Sequence, residues 1–565
     1  MPHVFDFVVV GAGSSGSALA ARLSEEPNCR VLLLEAGEAN PRNIWLRIPL
    51  GVGKVLSNPA LIWPFFTEPE KELGGRKISS LRGRALGGSG AVNGLAWVRG
   101  EADEFDRWRA SGLEGWGFED VLPYLKKMED YPWGDPRLRG RGGPIKVIDR
   151  GRWDSDPLSE AYRRACIEAG IPENDDYNGE RFEGVGFLQQ SIRNGMRCSG
   201  DTAYLRPARK RPNLTVLTGA VVTRVLFEGT RAVGVDFIRN GNRSTATARS
   251  EVVLSAGAVK SPQLLELSGV GDAVRLANFG IPVIAHVPGV GEGFHEHLQF
   301  RFTYECTKPI TINDLMGNPL RKLAAGTKFI LTRRGLLSGT SSTVHALAKS
   351  DPRLASPDLK IQLALISGKD RMARTKGAGI DEHSGFSIGT FKIRPESRGS
   401  VHIRNTDPLA DPVMKVNYLT HPEDVETYRR AVVLMRKIAA QPSLAHFIRR
   451  ETRPGQDVNS VDQLIEYIRE TGQTAWHAVG SCRMGTDPMA VTDPQLRVRG
   501  VTGLRVVDIS VMPTIVSPNT NAPAFMIGEK AADMILRDFR REDLRRGGSA
   551  NGPCEKSDDR QEAAV

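Results

Sequence analysis

The distribution of apolar residues near the start of the chain predicts two buried strands separated by a helix. Residues 7–10 form an apolar run with β-branched members, and residues 31–34 form a second one. Between the two runs, small residues recur at helical spacing, with Leu19 and Leu23 on one face. The pattern therefore predicts a strand–turn–helix–strand unit.

Related patterns occur in the middle of the chain and near its C-terminal end. Residues 214–217, 221–227 and 252–255 have the composition of strands, and residues 261–267 that of a helix. A further strand is predicted at residues 504–507. Together with the N-terminal unit, these segments indicate a single α/β domain built from separate parts of the chain.

Residues 301–464 follow a different pattern. Short predicted strands, such as residues 400–404, alternate there with helices such as residues 422–440. We interpret the region as a cap that supplies a substrate cavity, because ligand sites often form where two domains meet. The predicted ranges are 1–155, 205–300 and 465–540 for the α/β domain, 156–204 and 301–464 for the cap, and 541–565 for a disordered tail.

The turn after the first strand contains Gly11, Gly13 and Gly16, which fit the G-x-G-x-x-G pattern of dinucleotide sites. The first glycine permits a tight turn, the second lets backbone approach a pyrophosphate, and the third lets the helix pack close to the sheet. The helix N-terminus then offers N–H groups to the phosphates. Glu35 lies about twenty residues further on, where a carboxylate accepts hydrogen bonds from a ribose. The unit predicts a dinucleotide site but does not separate NAD from FAD.

Composition narrows the classes of protein and partner. The chain has 565 residues, of which 40% are hydrophobic and 25% charged, as expected for a soluble globular protein of two or three domains. The net charge is +10, but the basic residues are dispersed and are not interleaved with aromatic ones, so we expect no nucleic-acid partner. No apolar run reaches the ~18 residues needed to span a bilayer. Weak attraction to acidic lipid, and hence peripheral contact with a membrane, stays open.

The cysteines and the N-terminus are informative about the cellular compartment of the protein. The six cysteines are scattered and form no C-x-x-C pair. The first predicted strand begins so close to Met1 that no room is left for a secretory signal. We therefore expect free thiols and a cytoplasmic protein. Oligomeric state is not readable from the sequence.

Two segments suggest additional sites. Residues 320–334 mix apolar and basic residues at helical spacing, and a helix of that kind can lie on a membrane. We favour instead a cap helix that packs its apolar face inward. His295, Glu296 and His297 invite a metal site, but no further Cys/His cluster accompanies them, so we expect ordinary hydrogen bonds and no metal.

Three further motifs indicate a resemblance to a known protein family. The stretch GRALGGSGAVNGLAW at residues 83–97 is a second glycine-rich loop, and GAVKSPQLLELSGVG at 257–271 is a turn and helix. HAVGSCRMG at 477–485 is followed by RVVDISVMPTIVSPNTNAPAFMIGEKAADMIL at 505–536. With the N-terminal unit, these motifs resemble the glucose–methanol–choline (GMC) flavoprotein oxidoreductases, choline-dehydrogenase-like and alcohol-oxidising members above all. The resemblance spans residues 1–540 and implies a discontinuous Rossmann-like FAD-binding domain with an inserted substrate domain of antiparallel sheet and helices.

The resemblance, and not the glycines, selects FAD. Some family members attach FAD through a histidine just before the asparagine of the second loop, and Val92 occupies that position here, which implies non-covalent binding. Val222 would touch the adenine through its backbone, and Asp508 would meet the pyrophosphate or ribityl chain. The residues implied to contact FAD are Gly11, Gly13, Ser14, Ser15, Gly16, Glu35, Ala36, Arg84, Gly87, Gly88, Ser89, Asn93, Gly94, Val222, Asp508, Asn519 and Thr520.

The resemblance also implies a catalytic pair. In this family a histidine faces the flavin beside a second histidine or an asparagine, and His477 and Asn519 match these positions. Imidazole, whose pKa is near neutral, can accept the hydroxyl proton of an alcohol while hydride passes to flavin N5. The Asn519 amide can hold the hydroxyl and aim the carbon. Asn521 is close enough to be confused with Asn519, and Trp476 either lines the cavity or belongs to the core.

The expected activity is FAD-dependent oxidation of a primary alcohol, aromatic or aliphatic, to an aldehyde. The electron acceptor would be oxygen, a quinone or another molecule, so oxidase and dehydrogenase both stay open. A hydroxynitrile lyase that keeps FAD as a structural element is one alternative, and a non-catalytic flavin-binding module is another. A fatty-acid photodecarboxylase is disfavoured because those enzymes use a cap cysteine, and none lies between Cys306 and Cys482.

Overall fold

Two large sheets dominate the computed structural model, which describes residues 3–39, 43–369 and 379–548. The first sheet has seven strands and carries the glycine motif at the end of its strand His3–Val10. Its strands in spatial order are Leu214–Leu217, Val31–Leu34, His3–Val10, Asn242–Leu254, Arg231–Arg239 and Ala220–Glu228, with Leu504–Val506 also paired to Asn242–Leu254.

The first sheet is parallel where the glycine motif lies and antiparallel at its far edge. Val8 lies opposite Leu32 on one neighbouring strand and opposite Val252 on the other. Strands buried on both faces are apolar throughout, which is why residues 7–10 and 31–34 are continuous apolar runs. The parallel part therefore brings the ends of several strands to one edge, where ligands bind in sheets of this type.

The second sheet is antiparallel and also has seven strands. Gly385–Lys392 lies near its centre and is buried along its whole length. Helices Pro157–Glu168 and Pro422–Ala439 pack against the sheet. The strands in spatial order are Ile448–Arg453, Leu298–Cys306, Gly385–Lys392, Leu359–Ala364, Ser342–Ala348 and Gly184–Phe187, with Gln473–Thr474 also paired to Leu298–Cys306.

The remaining elements are short strands and the helices. The short strands pair as Ile62–Phe66 with Ser79–Gly83, Val270–Gly271 with Ala285–His286, Glu292–Phe294 with Gly399–His402 and Val413–Lys415, and Glu129–Asp130 with Ile145–Asp149, Gln189–Arg193 and Met196–Arg197. The α-helices are Ser14–Leu23, Val52–Leu56, Ala102–Ala110, Phe118–Met128, Arg150–Asp154, Pro157–Glu168, Arg206–Ala208, Gly257–Leu267, Ala273–Asn278, Ile312–Met316, Pro319–Thr332, Pro422–Ala439, Pro442–Ala445, Val461–Thr471 and Asn521–Gly548.

The predicted fold class, α/β combined with α+β, is confirmed. Most predicted strands and helices are present, but the helix predicted at residues 261–267 begins at Gly257. Pro262 lies inside this helix, and a proline leaves the carbonyl four residues earlier without its helical partner. That carbonyl, on Ala258, accepts a hydrogen bond from Ser481 Oγ at 2.6 Å, so the helix continues through the proline. The domain boundaries stay a prediction.

Two predictions about the surface were wrong. The helix Pro319–Thr332 does not pack its apolar face inward, since Phe329 is its one buried residue and its leucines are exposed. The tail was predicted to begin at residue 541, but helix Asn521–Gly548 extends to 548. Residues 541–548 include Arg, Glu and Leu, which favour helix, and they prolong a helix that packing has already formed. Residues 549–565 of the predicted tail lie outside the described residues.

Two further expectations concern the described part of the chain: free cysteine thiols, and no apolar segment long enough to span a bilayer. Cys29, Cys166, Cys198, Cys306 and Cys482 are buried free thiols, and Cys554 lies outside the described residues. Within residues 3–39, 43–369 and 379–548, no helix combines the length and apolar content that crossing a bilayer requires. The cytoplasmic location stays a prediction.

Candidate active site

One large cavity joins the glycine motif to the second sheet. Its volume is about 960 Å³. At one end it is lined by Gly11, Gly13 and Glu35, and at the other by His477 and Asn519. The predicted phosphate cradle and the predicted catalytic pair therefore open into the same space, although more than four hundred residues separate them in the sequence.

The glycine turn is shaped by close backbone contacts. Gly11 has φ of +100°, and a Cβ atom at this position would lie 2.4 Å from the carbonyl oxygen of Ser255. At Gly16 a Cβ atom would lie 2.0 Å from the carbonyl oxygen of Gly11, so a side chain there would break the turn. Gly13 differs, because its nearest neighbour in that direction is 4.0 Å away and the residue lines the cavity. The backbone is thus open to a ligand at the position expected for pyrophosphate.

Glu35 fixes the glycine turn from the end of the neighbouring strand. One carboxylate oxygen accepts from the backbone N–H of Ala12 at 2.9 Å, and the other accepts from that of Gly37 at 2.8 Å. Burial raises the pKa of Glu35 to about 7, and the two amides and Arg84 partly oppose that shift. The carboxylate lines the cavity and retains lone pairs that could accept ribose hydroxyls.

The second glycine loop packs directly on the first. A Cβ atom at Gly88 would lie 2.7 Å from Gly13 Cα, so the two loops approach to backbone contact. Asn93 Oδ1 accepts from Arg197 Nη1 at 2.7 Å, which fixes its side chain beside the cavity. Arg84 donates to the carbonyl of Ala36 at 3.3 Å. The predicted loop residues that line the cavity are Ala36, Gly88, Ser89, Asn93 and Gly94.

The helix that follows the glycine turn is tied to the last helix of the chain. Ser14 Oγ donates to Asn521 Oδ1 at 2.6 Å, and Ser15 Oγ donates to the carbonyl of Ala524 at 2.7 Å. Asn521 therefore lies at the phosphate end of the cavity, whereas Asn519 lies beside His477. Thr520, between them, lines the cavity as well.

Val222 and Asp508 also line the cavity. Asp508 Oδ2 accepts from the backbone N–H of Gly257 at 2.8 Å and from Ser261 Oγ at 2.6 Å. Burial raises the pKa of Asp508, while these donors lower it. A carboxylate held by amide and hydroxyl groups can stay close to phosphates without being bound to them, so the predicted contact with FAD at Asp508 stays a prediction.

His477 belongs to a hydrogen-bonded row of four side chains. His477 Nδ1 lies 3.0 Å from His297 Nδ1, and His297 Nε2 lies 2.7 Å from the carbonyl oxygen of Ile393. On its other side, His477 Nε2 lies 3.0 Å from Asn519 Nδ2. Lys360 Nζ, from the second sheet, donates to Asn519 Oδ1 at 2.5 Å.

The chemistry of the row fixes its protons. A carbonyl only accepts, so His297 must carry its proton on Nε2. Burial lowers the pKa of His297 to about 3, which keeps the ring neutral and leaves Nδ1 as an acceptor. His477 then donates from Nδ1, and its Nε2 lone pair points towards Asn519 and the cavity. The arrangement holds His477 in the tautomer that a general base needs.

Lys360 fixes the opposite end of the row. An ammonium group only donates, so its partner on Asn519 must be the amide oxygen, and the amide NH₂ must face His477. Lys360 is fully buried, and burial lowers its pKa to about 7. The cationic form, which makes the stronger hydrogen bond, is therefore present below about pH 7 and is lost above it.

The residues next to His477 are also constrained. Its backbone N–H donates to Glu296 Oε1 at 2.5 Å, and Glu296 pairs with Arg82 at 3.1 Å. Trp476 has φ of +63°, a left-handed conformation that is uncommon for a large residue and often found at functional sites. Trp476 lines the cavity. A buried carboxylate and an unusual backbone conformation together set the position of the imidazole.

The structure thus brings His477, Asn519 and Trp476 together and adds two residues, His297 and Lys360, that the sequence did not assign to the catalytic site. For His297 the sequence suggested a metal site but favoured ordinary hydrogen bonds, and the ring nitrogens contact His477 and Ile393. His295 Nδ1 contacts the Gly293 carbonyl at 2.8 Å. Among residues 3–39, 43–369 and 379–548, no cluster of three metal-ligand side chains is present. Nothing in the sequence pointed to Lys360 as a site residue, because it occupies a polar position in a strand where apolar and polar residues alternate.

Comparison with protein families gives two matches. The GMC oxidoreductase family matches twice, with its N-terminal part at residues 5–299 and its C-terminal part at residues 395–528. An oxygen-dependent choline dehydrogenase of Vibrio vulnificus is 40% identical over 95% of each chain. Another of the same name, from Rhizobium etli, is 40% identical over 94% of this chain and 95% of its own.

Solved structures give the same result. Pyridoxine 4-oxidase from Mesorbium loti superimposes with a TM-score of 0.84 at 30% identity, covering 94% of this chain and 99% of its own. A fungal aryl-alcohol oxidase superimposes with a TM-score of 0.82 at 25% identity, covering 96% of this chain and all of its own.

Proposed function

Because the chain belongs to the GMC oxidoreductase family, we propose that it oxidises a primary alcohol to an aldehyde, with His477 as the base. The enzyme acts on CH–OH donors and its cofactor is FAD. The single observation that carries the finer proposal is the hydrogen-bonded row that leaves His477 Nε2 as an acceptor at the cavity surface.

The residues at the glycine end fit FAD. The backbone at Gly13 is open to the cavity where phosphates would lie, and the helix that starts at Ser14 directs its N–H groups there. Glu35 offers acceptors for ribose hydroxyls, and the second glycine loop passes close by. Val92 has no nucleophilic atom, which supports non-covalent binding. When bound, FAD supplies the acceptor for the hydride of the alcohol carbon.

His477 would remove the hydroxyl proton. Loss of hydride from an alcohol carbon generates a carbonyl, so the hydroxyl proton must leave as well. The Nε2 lone pair can accept that proton, and the resulting positive ring is stabilised because Nδ1–H keeps its partner His297. Glu296, which accepts from the His477 backbone, adds negative charge nearby.

Asn519 and Lys360 would hold the alcohol oxygen. The Asn519 NH₂ group lies beside His477 Nε2, so a hydroxyl next to both groups can donate to the imidazole and accept from the amide once it replaces their mutual hydrogen bond. Lys360 polarises that amide through its oxygen and adds a buried positive charge close to the developing alkoxide. We assign Lys360 the role of a positioning residue, since it acts through Asn519.

We expect Lys360→Met to slow flavin reduction by alcohol roughly 10- to 100-fold, because a hydrogen bond to a charged group contributes about 1.5–3 kcal/mol. Stopped-flow absorbance of the FAD-loaded variant measures this rate. We also expect the wild-type rate to fall above about pH 7, as Lys360 loses its proton, and we expect this fall to be absent from the variant.

A double-mutant cycle tests the route through Asn519. If Lys360 acts by orienting the amide, adding Lys360→Met to Asn519→Ala should have little further effect. Independent, additive losses in the two variants would contradict the positioning role. Flavin absorbance and thermal unfolding of each variant separate the effect from misfolding.

The cavity chemistry favours an uncharged substrate. Of the described residues that line it, Glu35 and Asp508 alone are acidic, and both are held by backbone amides beside the nucleotide motifs. The described residues contributed by the second sheet and its flanking segments include Arg301 and apolar or hydroxyl side chains such as Ile312 and Ser387. Buried Lys360 adds a further cation. We infer that a neutral primary alcohol fits better than a quaternary ammonium.

Trp63, one of the aromatic residues that line the cavity, offers little to a further cation. The ring of Trp63, which lines the cavity, already has Arg84 at 4.6 Å and Lys260 at 4.8 Å from its centroid. A third cation placed there would meet like charge. The name of the relatives, oxygen-dependent choline dehydrogenase, supports oxygen as the electron acceptor here, but the cavity does not support choline as the preferred donor.

The activity is tested by anaerobic mixing of the purified yellow protein with primary aliphatic and aromatic alcohols. Bleaching of the flavin band with aldehyde formation is the expected result, and rapid return of colour on admitting air would identify oxygen as acceptor. Absence of bleaching together with cyanide release from a cyanohydrin would overturn the proposal in favour of a lyase. Absence of both would leave a flavin-binding module as the better description.

A further inference from the structure

The helix Pro319–Thr332, called here the exposed helix, presents its apolar side chains to solvent. Leu320 is 76% exposed, Leu323 68%, Ile330 70% and Leu331 77%. Isolated exposed leucines are common, but four large apolar residues on one 14-residue helix are not. The helix therefore carries an apolar surface without a partner in the described part of the chain.

The apolar residues lie on one face, and that face points away from the protein. Leu320, Leu323 and Leu331 follow the spacing of a single helical stripe, with Ile330 beside it. Successive residues are about 100° apart, which puts Phe329 on the opposite side. Phe329 is buried and anchors the helix to the body. Because Phe329 packs against the protein, the stripe on the opposite side of the helix faces solvent.

The charges around the stripe are all of one sign. Arg321 and Lys328 flank it on one side, and Lys322, Arg333 and Arg334 belong to the same segment of the chain. From residue 315 to residue 334 the sequence contains no Asp or Glu. An apolar stripe bordered by Lys and Arg is the composition of helices that lie in the interface of an anionic bilayer.

The chain segments on either side of the exposed helix line the cavity. The residues immediately before it, Leu315 and Met316, and those after it, Leu337 and Thr340, line the cavity wall. Residues 336–338 contact both the exposed helix and residues 49–51. Close to the latter, Trp45 is 37% exposed and lines the cavity too. A surface that holds the exposed helix would therefore be next to the route into the cavity.

We propose that the exposed helix docks the protein on an anionic lipid surface, with the cavity opening beside the bilayer. This goes beyond the proposed function and does not depend on it. A second copy of the chain is the less favourable occupant, because two such helices face to face would bring ten cationic side chains together without an acidic residue between them. Anionic lipid headgroups neutralise those charges while the acyl region takes the leucines.

The test is cosedimentation of the FAD-loaded full chain with vesicles. The vesicles contain phosphatidylcholine alone or an equal mixture with phosphatidylglycerol. We expect binding to the mixed vesicles, and at least about tenfold weaker partitioning for the variant with Leu320, Leu323, Ile330 and Leu331 all changed to Ser. The matched control carries Val274→Ser and Val433→Ser, two exposed apolar residues on other helices, and should bind like wild type.

A second pair of variants separates the effect of the charges on the exposed helix from the effect of the protein's overall positive charge on vesicle binding. Arg321→Gln with Lys328→Gln should weaken binding to the mixed vesicles, whereas Lys210→Gln with Arg243→Gln, equal in charge but elsewhere, should not. Equal losses in both pairs would overturn the proposal and leave non-specific attraction of a +10 protein. No binding by wild type, or unchanged binding by the serine variant, would also overturn it. So would self-association, seen by light scattering, that the serine variant abolishes.

Discussion

His477→Ala is expected to keep bound flavin but to be reduced by alcohol about 10²- to 10⁴-fold more slowly than wild type. The reason is that the alcohol hydroxyl would have no acceptor for its proton at the moment hydride leaves. The neighbours that hold FAD do not depend on the imidazole, so the yellow colour should persist. Anaerobic stopped-flow absorbance at the flavin band measures the rate directly.

Two controls make the result specific to the base. His446→Ala, a change at an exposed histidine outside the cavity, should reduce at the wild-type rate. Added imidazole should partly restore reduction in His477→Ala, because the space left beside Asn519 opens into the cavity. A His477→Ala enzyme with unchanged reduction would remove His477 from the base role and leave the alcohol oxidation itself to be explained by another acceptor.

The carbon analogue of choline, 3,3-dimethylbutan-1-ol, is expected to be a better substrate than choline by a factor on the order of 10². The two molecules have the same shape, and they differ in one positive charge. Burying an unpaired cation costs a few kcal/mol, and each 1.4 kcal/mol is tenfold in kcat/KM. Steady-state kcat/KM values for both alcohols with the same preparation measure the difference.

The buried lysine makes this preference dependent on pH. Burial lowers the pKa of Lys360 from its ordinary value to about 7, so its positive charge is present below that pH and lost above it. Discrimination against choline should therefore be larger at pH 6 than at pH 8, and it should be smaller in Lys360→Met than in wild type at pH 6, with little difference between the two enzymes at pH 8. A preference for choline at both values would contradict the inferred substrate class.

The parts of the fold that depend on local pattern could be predicted from the sequence. The apolar runs at residues 7–10 and 31–34 and the glycines between them specify a strand, a turn and a helix with few alternatives. His477 and Asn519 were named through motifs, and the structure brings them to 3.0 Å from each other. Their roles stay predictions, because proximity alone does not measure proton transfer.

What could not be predicted depends on contacts between distant strands. Lys360 is one polar residue in an ordinary strand. It contributes to the site through a hydrogen bond to Asn519, which is 159 residues away in the sequence. At His297 the sequence predicted ordinary hydrogen bonds and no metal, but not a place in the catalytic row, because that requires knowing that Ile393 and His477 lie on either side of the ring. The prediction that the exposed helix packs its apolar face inward was wrong for a different reason. Periodicity identifies an apolar face but does not say what covers it.

The hydrogen bonds from Ser14 to Asn521 and from Ser15 to Ala524 have a consequence for biosynthesis. The phosphate loop leaves the ribosome first, yet the helix that braces it is among the last segments to be translated. Nascent chains should therefore be unable to retain the cofactor until translation is nearly complete. Chaperones would meet a long-lived apo intermediate, and premature termination anywhere before residue 521 would yield a colourless product.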